Sequence, residues 1–522
     1  MRSIYAALSV AALIGSDAHA ACPGVPADCQ NIIIINADDL SSEAISAYGS
    51  GLGGLASTPN IDTIATDGVK FTNAWHVTPV CTPSRVMLWT GMGPWQTHVY
   101  QNEALVDTFP TVMDSLQAAG YVTAVFGKWQ VPPISPTTEI GRNLGFSYRS
   151  LCTASECGAY ADPQMGTAIG STTALSAPST QSGYVTDILE TQAEAWLNAR
   201  TPAVPFFLVI AHKAPHDPWI PRSDDEGDLN AFTLTTPSVL ADDRSGRSVH
   251  VQQHPNTFLS LYATWTSAPF STCPRGPSGY CHEQPGPEVD TDPEKLAWLF
   301  QVFGRRYLET TKGLDRSVGA MLDYLDNDTV EAPGVLAAKT IICFTGDNGL
   351  LAGEHQLDGK LLPYDESGRM VLLCKGPGIS AGTTQAGMVS SLDLAPTFLD
   401  IANVAQPTQM TGRSLLELLA GTAPAWRTGV YYHSQADNER GHFAYITALW
   451  KLIRWYNPSA TGGPEWELID RTSDPDEAAN VYNVPANAAT VATLKSAMRA
   501  AQASMGVTTT QSGVTISGVT IR

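Results

Sequence analysis

Positive charge is scarce in this chain: 30 Lys and Arg stand against 50 Asp and Glu over 522 residues, a formal net charge of −20. A nucleic-acid binder carries a basic footprint, so no nucleic-acid partner is expected. An acidic protein that handles an anion has no general positive field and must capture it with a few local cations. Long apolar runs are scarce as well. Ile4 to Ile14 is mostly apolar but short, and no later stretch approaches the ~20 residues of a spanning helix, so no membrane span is expected. There is no internal repeat, and no cysteine spacing has the form of a zinc site.

The short apolar run is preceded by Arg2 and followed by the small residues Ala18-His19-Ala20, the order of an export signal. Residues 1–20 therefore read as a signal peptide, and the mature chain, beginning near Ala21, as a periplasmic or extracellular protein. Nine cysteines is an odd number. Six form short-range couples in loop-like stretches, Cys22/Cys29, Cys152/Cys157 and Cys273/Cys281, consistent with local disulfides in an oxidising compartment. Cys343 and Cys374 lie in apolar, strand-like runs and read as buried thiols. Cys81 stands apart.

Apolar strand-like runs alternate with helical ones, the pattern of an α/β fold with a large, mostly parallel sheet flanked by helices. Asn31 to Asn36 carries four consecutive isoleucines, as expected of a strand covered on both faces. Further strands fit Tyr121 to Phe126, Pro205 to Ala211 and Thr340 to Phe344. Helices fit Thr111 to Ala119, Tyr184 to Asn198 and Leu296 to Leu325. Arg222 to Glu294 is rich in Pro, Ser and Asp and reads as loop. After Asp400 the runs shorten, with one late helix over Ala486 to Met505, which suggests a large domain over 21–405 and a smaller α+β subdomain over 406–522 with a Thr/Ser/Gly-rich tail.

Two features carry chemistry. Cys81-Thr82-Pro83-Ser84-Arg85 opens a helix-like run, so Cys81 falls where free N–H groups and the helix dipole favour a negative centre. By itself this describes a reactive or metal-binding thiol, or a buried cysteine. Asp38-Asp39 and Asp347-Asn348 each follow an apolar strand, at the carboxyl end where open α/β sheets bind ligands. Either pair alone is as readily a solvated turn; four hard oxygen donors brought together would suit Ca²⁺ or Mg²⁺.

Taken in order, the motifs resemble one family. Asn36-Ala37-Asp38-Asp39, Thr58-Pro59-Asn60-Ile61-Asp62, Cys81 to Arg85, Gly127-Lys128-Trp129, Pro205-Phe206-Phe207-Leu208 and Ala214-Pro215-His216 come first. Thr345-Gly346-Asp347-Asn348-Gly349, Gly353-Glu354-His355, Lys360, Asp393 to Thr397 and Glu467-Leu468-Ile469-Asp470 come after them. The series resembles the type I, formylglycine-dependent sulfatases of the alkaline phosphatase superfamily, glucosamine-6-sulfatases and arylsulfatases in particular.

The resemblance implies a role for each residue. Cys81 would be oxidised to formylglycine by a maturation enzyme, its hydrate acting as nucleophile and contacting a Ca²⁺ ion bound by Asp38, Asp39, Asp347 and Asn348. Arg85 would hold the hydrate, Lys128 and Lys360 would clamp the sulfate, and His216 would protonate the departing alcohol. Loss of the second hydroxyl's proton would then expel sulfate from residue 81. Many sulfatases place His where this chain has Gln130, which cannot take a proton at neutral pH. His98 is the candidate to replace it, with His212 second. The implied substrate is a sulfate monoester, as of a sulfated carbohydrate. Trp219, Trp265, Tyr280 and Trp298 could stack on sugars or pack internally. Two alternatives stay open: a phosphonate monoester or phosphodiester hydrolase of the same superfamily, and a catalytically dead sulfatase-fold binding protein.

Overall fold

A computed structural model describes residues 30–49, 51–102, 109–131, 146–152, 160–170, 175–261, 291–422, 425–434, 441–455 and 465–507, and the backbone of strands at 514–516 and 519–521. The proposed signal peptide, the couples Cys22/Cys29 and Cys273/Cys281, and Cys157, Trp265 and Tyr280 lie outside the described residues.

Strands β1 (Asn31–Ala37), β2 (Val69–Phe71), β3 (Val122–Gly127), β4 (Tyr148–Cys152), β5 (Gln164–Ile169), β6 (Ser179–Thr180), β7 (Phe206–Ala211), β8 (Thr340–Gly346), β9 (Leu372–Lys375) and β10 (Thr383–Gln385) form one sheet. Their order is β10-β2-β9-β8-β1-β7-β3-β4-β5-β6. The centre, β8-β1-β7-β3-β4, is parallel. β9 runs antiparallel to β8 and β2, and β5 antiparallel to β4, so antiparallel pairs flank the parallel core.

The isoleucine run explains the layering. Side chains alternate across a strand, and helices cover both faces: α1 (Cys81–Thr90), α2 (Val112–Ala118), α3 (Val185–Asn198), α4 (Asp292–Asn327) and α5 (Leu394–Ile401). Ile33 and Ile35 pack with Leu189 of α3 and Phe303 of α4; Ile32 and Ile34 pack with Val86 of α1, Leu116 of α2 and Phe398 of α5. All four are at most 1% exposed. Each burial contributes ~1.5–3 kcal/mol, so β1 is held from both sides and its carboxyl end is fixed in space. α4 starts at Asp292, four residues before the first apolar position, because Thr291 and Glu294 form a capping box.

A second sheet, antiparallel β11 (Gly429–Ser434), β12 (His442–Thr447), β13 (Trp450–Trp455) and β14 (Glu465–Asp470), builds the smaller C-terminal part. Tyr431, Leu452 and Leu468 face helix α6 (Ala488–Ser504) through Leu494 and Met498. Tyr432, Ile453 and Ile469 face the loop containing Leu357 and Leu362. The Tyr432 hydroxyl donates to Leu361 O at 2.6 Å, which fixes the chain beside Lys360. The segment after Arg222 lies across α4, with Leu229 N bonded to Glu309 and Leu234 N to Gln301.

One expectation is corrected. Cys343 and Cys374 are joined in a disulfide. They occupy directly opposed positions of antiparallel β8 and β9, a pairing that the separate strand-like runs did not disclose. Cys152 is also disulfide-bonded. Trp219 is core rather than sugar platform, packed edge-on against Phe303 with centroids 4.6 Å apart, and Trp298 packs at the margin of the same core. No helix among the described residues is long and apolar enough to cross a membrane.

Candidate active site

Four adjacent parallel strands each end in a residue of the site. β1 and β8 pair in register to Ala37 and Gly346, so Asp38-Asp39 and Asp347-Asn348 emerge side by side. The two exits are stitched together: Asp347 N donates to Ala37 O at 3.0 Å and Leu40 N to Asn348 O at 2.8 Å. β7 leads to His216 and β3 to Lys128, whose N donates to Ala211 O at 2.8 Å. Gly127 has φ +97°, and a Cβ there would meet Ala211 O at 2.2 Å, so only glycine lets β3 turn toward the site.

Cys81 is the first residue of α1, as its place before Pro83 predicts, and is 1% exposed among charged groups. Its Sγ lies 3.5 Å from Asp38 Oδ1 and 3.9 Å from Asp39 Oδ1, with Lys360 Nζ at 2.9 Å and Lys128 Nζ at 4.0 Å. Lys128 also pairs with Asp38, and Lys360 with Asp39. Arg85, one helical turn after Cys81, donates through Nε to Asp347 Oδ2 at 2.9 Å and through Nη1 to Lys128 O. It therefore holds the acidic wall and the lysine loop together. His216 Nε2 stands 3.6 Å from Asp39 Oδ2.

The charges govern one another. Burial would raise the Asp38 carboxyl, but Lys128, His216, Arg85 and Lys360 together hold it well below the usual carboxylate range. Asp347 goes the other way, to about 6, through burial and then the charge of Asp38. Burial pushes the Cys81 thiol up against the pull of the two lysines. Burial opposes charge on His216, yet Asp39 outweighs it and raises the imidazole well above its ordinary range.

The donors fit a hard divalent cation. Ligand atoms of Asp38, Asp39, Cys81 and His216 all lie within 4.8 Å of one another. Asn348 Nδ2 donates to Asp39 Oδ1 at 2.7 Å and to Gly349 O at 2.8 Å, which leaves Oδ1 fully buried with no protein partner. A buried amide oxygen held free among three carboxylates is an arrangement for Ca²⁺ or Mg²⁺.

Comparison with known proteins gives the family. The family profile described as Sulfatase matches residues 30–404, and one described as N-sulphoglucosamine sulphohydrolase, C-terminal, matches 353–504. This chain belongs to the sulfatase family. It is a sulfuric ester hydrolase by class. An N-acetylglucosamine-6-O-sulfatase of Bacteroides thetaiotaomicron is 31% identical over 87% of this chain and 82% of its own length. Human arylsulfatase K is 26% identical over 92% and 83%. A solved structure in complex with its substrate D-glucosamine-2-N,6-O-disulfate aligns with TM-score 0.79 at 28% identity, covering 91% of this chain and 98% of the other. A phosphonate monoester hydrolase of Agrobacterium radiobacter shares the fold, with TM-score 0.66 at 19% identity over 94% and 100%.

In this sulfatase Asp38, Asp39, Asp347, Asn348, Cys81, Arg85, Lys128, His216 and Lys360 form one cluster, whereas the candidate substitutes for the absent histidine do not join it. His98 is exposed, caps a short helix at φ 57°, and forms no hydrogen bond to the cluster. His212 is fully buried, and burial holds its imidazole down to about 3, so it stays neutral beside Ser317. Gln130 sits half-buried at φ 46°, its Oε1 buried without a partner. Sequence reasoning missed two residues. Asp217 Oδ1 is 2.7 Å from His216 Nδ1, which turns Nε2 toward the cluster. Asn102 Oδ1 accepts from Thr82 N at 3.1 Å, capping the helix end that presents residue 81. An Asp beside a His carries no sequence signal of which way its carboxylate turns.

The sulfatase should therefore respond weakly to His98→Ala, with a change of a few-fold in kcat. Gln130→Ala should slow it by ~10-fold, the loss of one hydrogen bond of ~1–2 kcal/mol. Steady-state kinetics decide: a loss of about 10²–10⁴-fold in His98→Ala, the cost of removing a general base, would restore His98 to that role.

Proposed function

We propose that this sulfatase is exported to the periplasm or outside the cell and removes a 6-O-sulfate from a glucosamine-type sugar of a sulfated glycan. The observation that carries the reading is the meeting of Cys81, at a helix start, with three carboxylates, a free amide oxygen and two ammonium groups. The N-acetylglucosamine-6-O-sulfatase relative, alike over nearly the whole chain, supports the sugar. The apolar leader and the disulfides support export. A catalytic domain over 21–405 and a subdomain over 406–522 fit the separate four-stranded sheet.

Oxidation of Cys81 to formylglycine, by a maturation enzyme acting on the Cys81-to-Arg85 motif, would provide a hydrate hydroxyl as nucleophile. Ca²⁺ on Asp38, Asp39, Asp347 and Asn348 would supply Lewis acidity and offset the charge of the sulfate oxygens. The chain's own groups do the rest. Lys128 and Lys360, beside residue 81, bind the sulfate in a site that excludes water and in which their charge acts strongly. Arg85 keeps Asp347 and the Lys128 loop in place. His216, its Nδ1 held by Asp217, presents Nε2 to give a proton to the departing alcohol oxygen.

The test uses matured enzyme and three substrates: N-acetylglucosamine 6-sulfate, an aryl sulfate and a phosphonate monoester. The highest kcat/KM is expected for the sugar. A preference for the phosphonate ester would replace this reading with the phosphonate hydrolase alternative, and inactivity toward all three in protein carrying formylglycine would favour a binding role.

A further inference from the structure

A second group of carboxylates lies behind the cluster, divided from it by Tyr307, whose hydroxyl donates to Asp39 O at 2.6 Å and accepts from Ser41 N at 2.8 Å. Glu43, Asp365, Glu366 and Asp476 line a cavity of about 300 Å³ together with Tyr48 and Arg369. Two of the four acids are engaged. Asp365 pairs with Lys451 at 2.7 Å and Arg471 at 3.0 Å, and Asp476 accepts from Ser238.

Glu366 is 8% exposed, and its Oε2 is fully buried with no hydrogen-bond partner. Glu354, behind it at 2% exposure, accepts from Ala352 N through Oε2 and leaves Oε1 equally unpartnered. Neither Glu43, Glu354 nor Glu366 forms an ion pair with any of the described residues. Arg369, the single cation among the lining residues, donates to Thr72 O at 2.7 Å; its charge reaches Glu43 without forming an ion pair with it. Buried carboxylates without a counter-charge are costly and are neutralised by a proton or by a cation. Burial, then the neighbouring glutamates, push Glu354 up to about 8 and Glu366 well above the carboxylate range, so at neutral pH each holds a proton unless a cation displaces it.

We propose that this cavity holds a second divalent cation, hydrated and oxygen-bound, on Glu366 and Glu43. Three observations favour a cation over protons alone. The donors are all oxygen, the cavity has room for an ion and several waters at ~30 Å³ each, and Glu366, nine-tenths buried with no hydrogen-bond or ion-pair partner for its carboxylate among the described residues, lines it. Among the described residues only the catalytic group brings three such ligand atoms within 4.8 Å, so this ion keeps much of its water shell, as Mg²⁺ and weakly held Ca²⁺ do. Its position would tie the two ligand-bearing loops together. Glu43 lies four residues after Asp39, in the short turn Ser42–Ala44, and Glu366 O and Ser367 O accept from Leu350 N and Gly349 N just after Asp347-Asn348.

The full-length protein is stripped with chelator and titrated with Ca²⁺ alone and with Mg²⁺ alone, and bound metal per chain is counted by elemental analysis after desalting at fixed free ion. Two ions are expected in the unsubstituted protein and one in Asp347→Asn, where the second site is left. Glu366→Gln should also keep one, and Glu43→Gln, at the half-buried rim and less able to disturb folding, should weaken the second site by about tenfold, the loss of one of its two charged ligands. In Asp347→Asn the thermal midpoint at pH 8 should rise on adding either ion. One ion per unsubstituted chain, or two ions held undiminished in both glutamate variants, overturns the proposal. So does an Asp347→Asn midpoint that falls from pH 5 to pH 8 while ignoring both ions, since protons on the glutamates would then be the whole account.

Discussion

Cys81→Ala should abolish sulfate-ester hydrolysis, by ~10³-fold or more, while the protein stays folded. The substitution removes one sulfur atom from the first turn of α1 and leaves the helix, its Asn102 cap and the apolar contacts of Val86 and Leu88 intact. Its thermal midpoint should therefore move little, consistent with ~1 kcal/mol for a typical substitution. Mass spectrometry of the peptide spanning residues 81–85 supplies the second half of the test. Active preparations should carry the aldehyde, and the active fraction should track the converted fraction when the protein is produced with and without the maturation enzyme. Full turnover by a preparation whose Cys81 is wholly unmodified would end the formylglycine reading, because a plain thiolate, held up in pKa by burial, would then be the nucleophile.

Removal of the proposed active-site cation should be nearly as severe. Asp347→Asn keeps an oxygen to accept from Asp39 N and removes the charge that faces Arg85. Lewis-acid assistance of several kcal/mol corresponds, at 1.36 kcal/mol per tenfold, to about 10²-fold or more in kcat. Asp38→Ala should cost at least as much, since it also leaves Lys128 buried without its partner. Chelation should lower the thermal midpoint of the unsubstituted protein, because an ion held at 100 times its Kd stabilises by ~2.7 kcal/mol. Activity that survives intact after metal removal is verified by elemental analysis would exclude the ion from the reaction.

Much of the fold was legible because it is written in short-range patterns. Four isoleucines in a row fit a strand covered on both faces, and β1 is one. The start of a helix at Cys81 was signalled by Pro83. The late helix and the long helix through Leu296 to Leu325 lie where their apolar spacing placed them, the latter extended at its start by a capping box. The motif series picked out the candidate oxygen donors and the lysines, and the structure brings these side chains together. What was not legible depended on partners far away in the chain. Cys343 and Cys374 look like two buried thiols until β8 and β9 are paired in register. His98 lies in a motif that resembles an active-site stretch, yet it is exposed to solvent. Asp217 was passed over because only the folded turn shows its carboxylate against His216.

The sequence by itself determined where strands end and which groups stand at those ends: two acidic pairs, a lysine and a histidine, each shortly after a buried run, and a cysteine at a helix start. Those are local matters, settled by burial of alternating side chains and by the backbone preferences of Pro and Gly. Only the tertiary structure decided which ends meet. The order β8-β1-β7-β3 sets Asp347, Asp38, His216 and Lys128 in a row, and Arg85 locks two of those exits together. Each of these contacts joins residues tens to hundreds of positions apart. Their energy comes from charges and hydrogen bonds brought out of water together, and no pattern within a short window of sequence can report that.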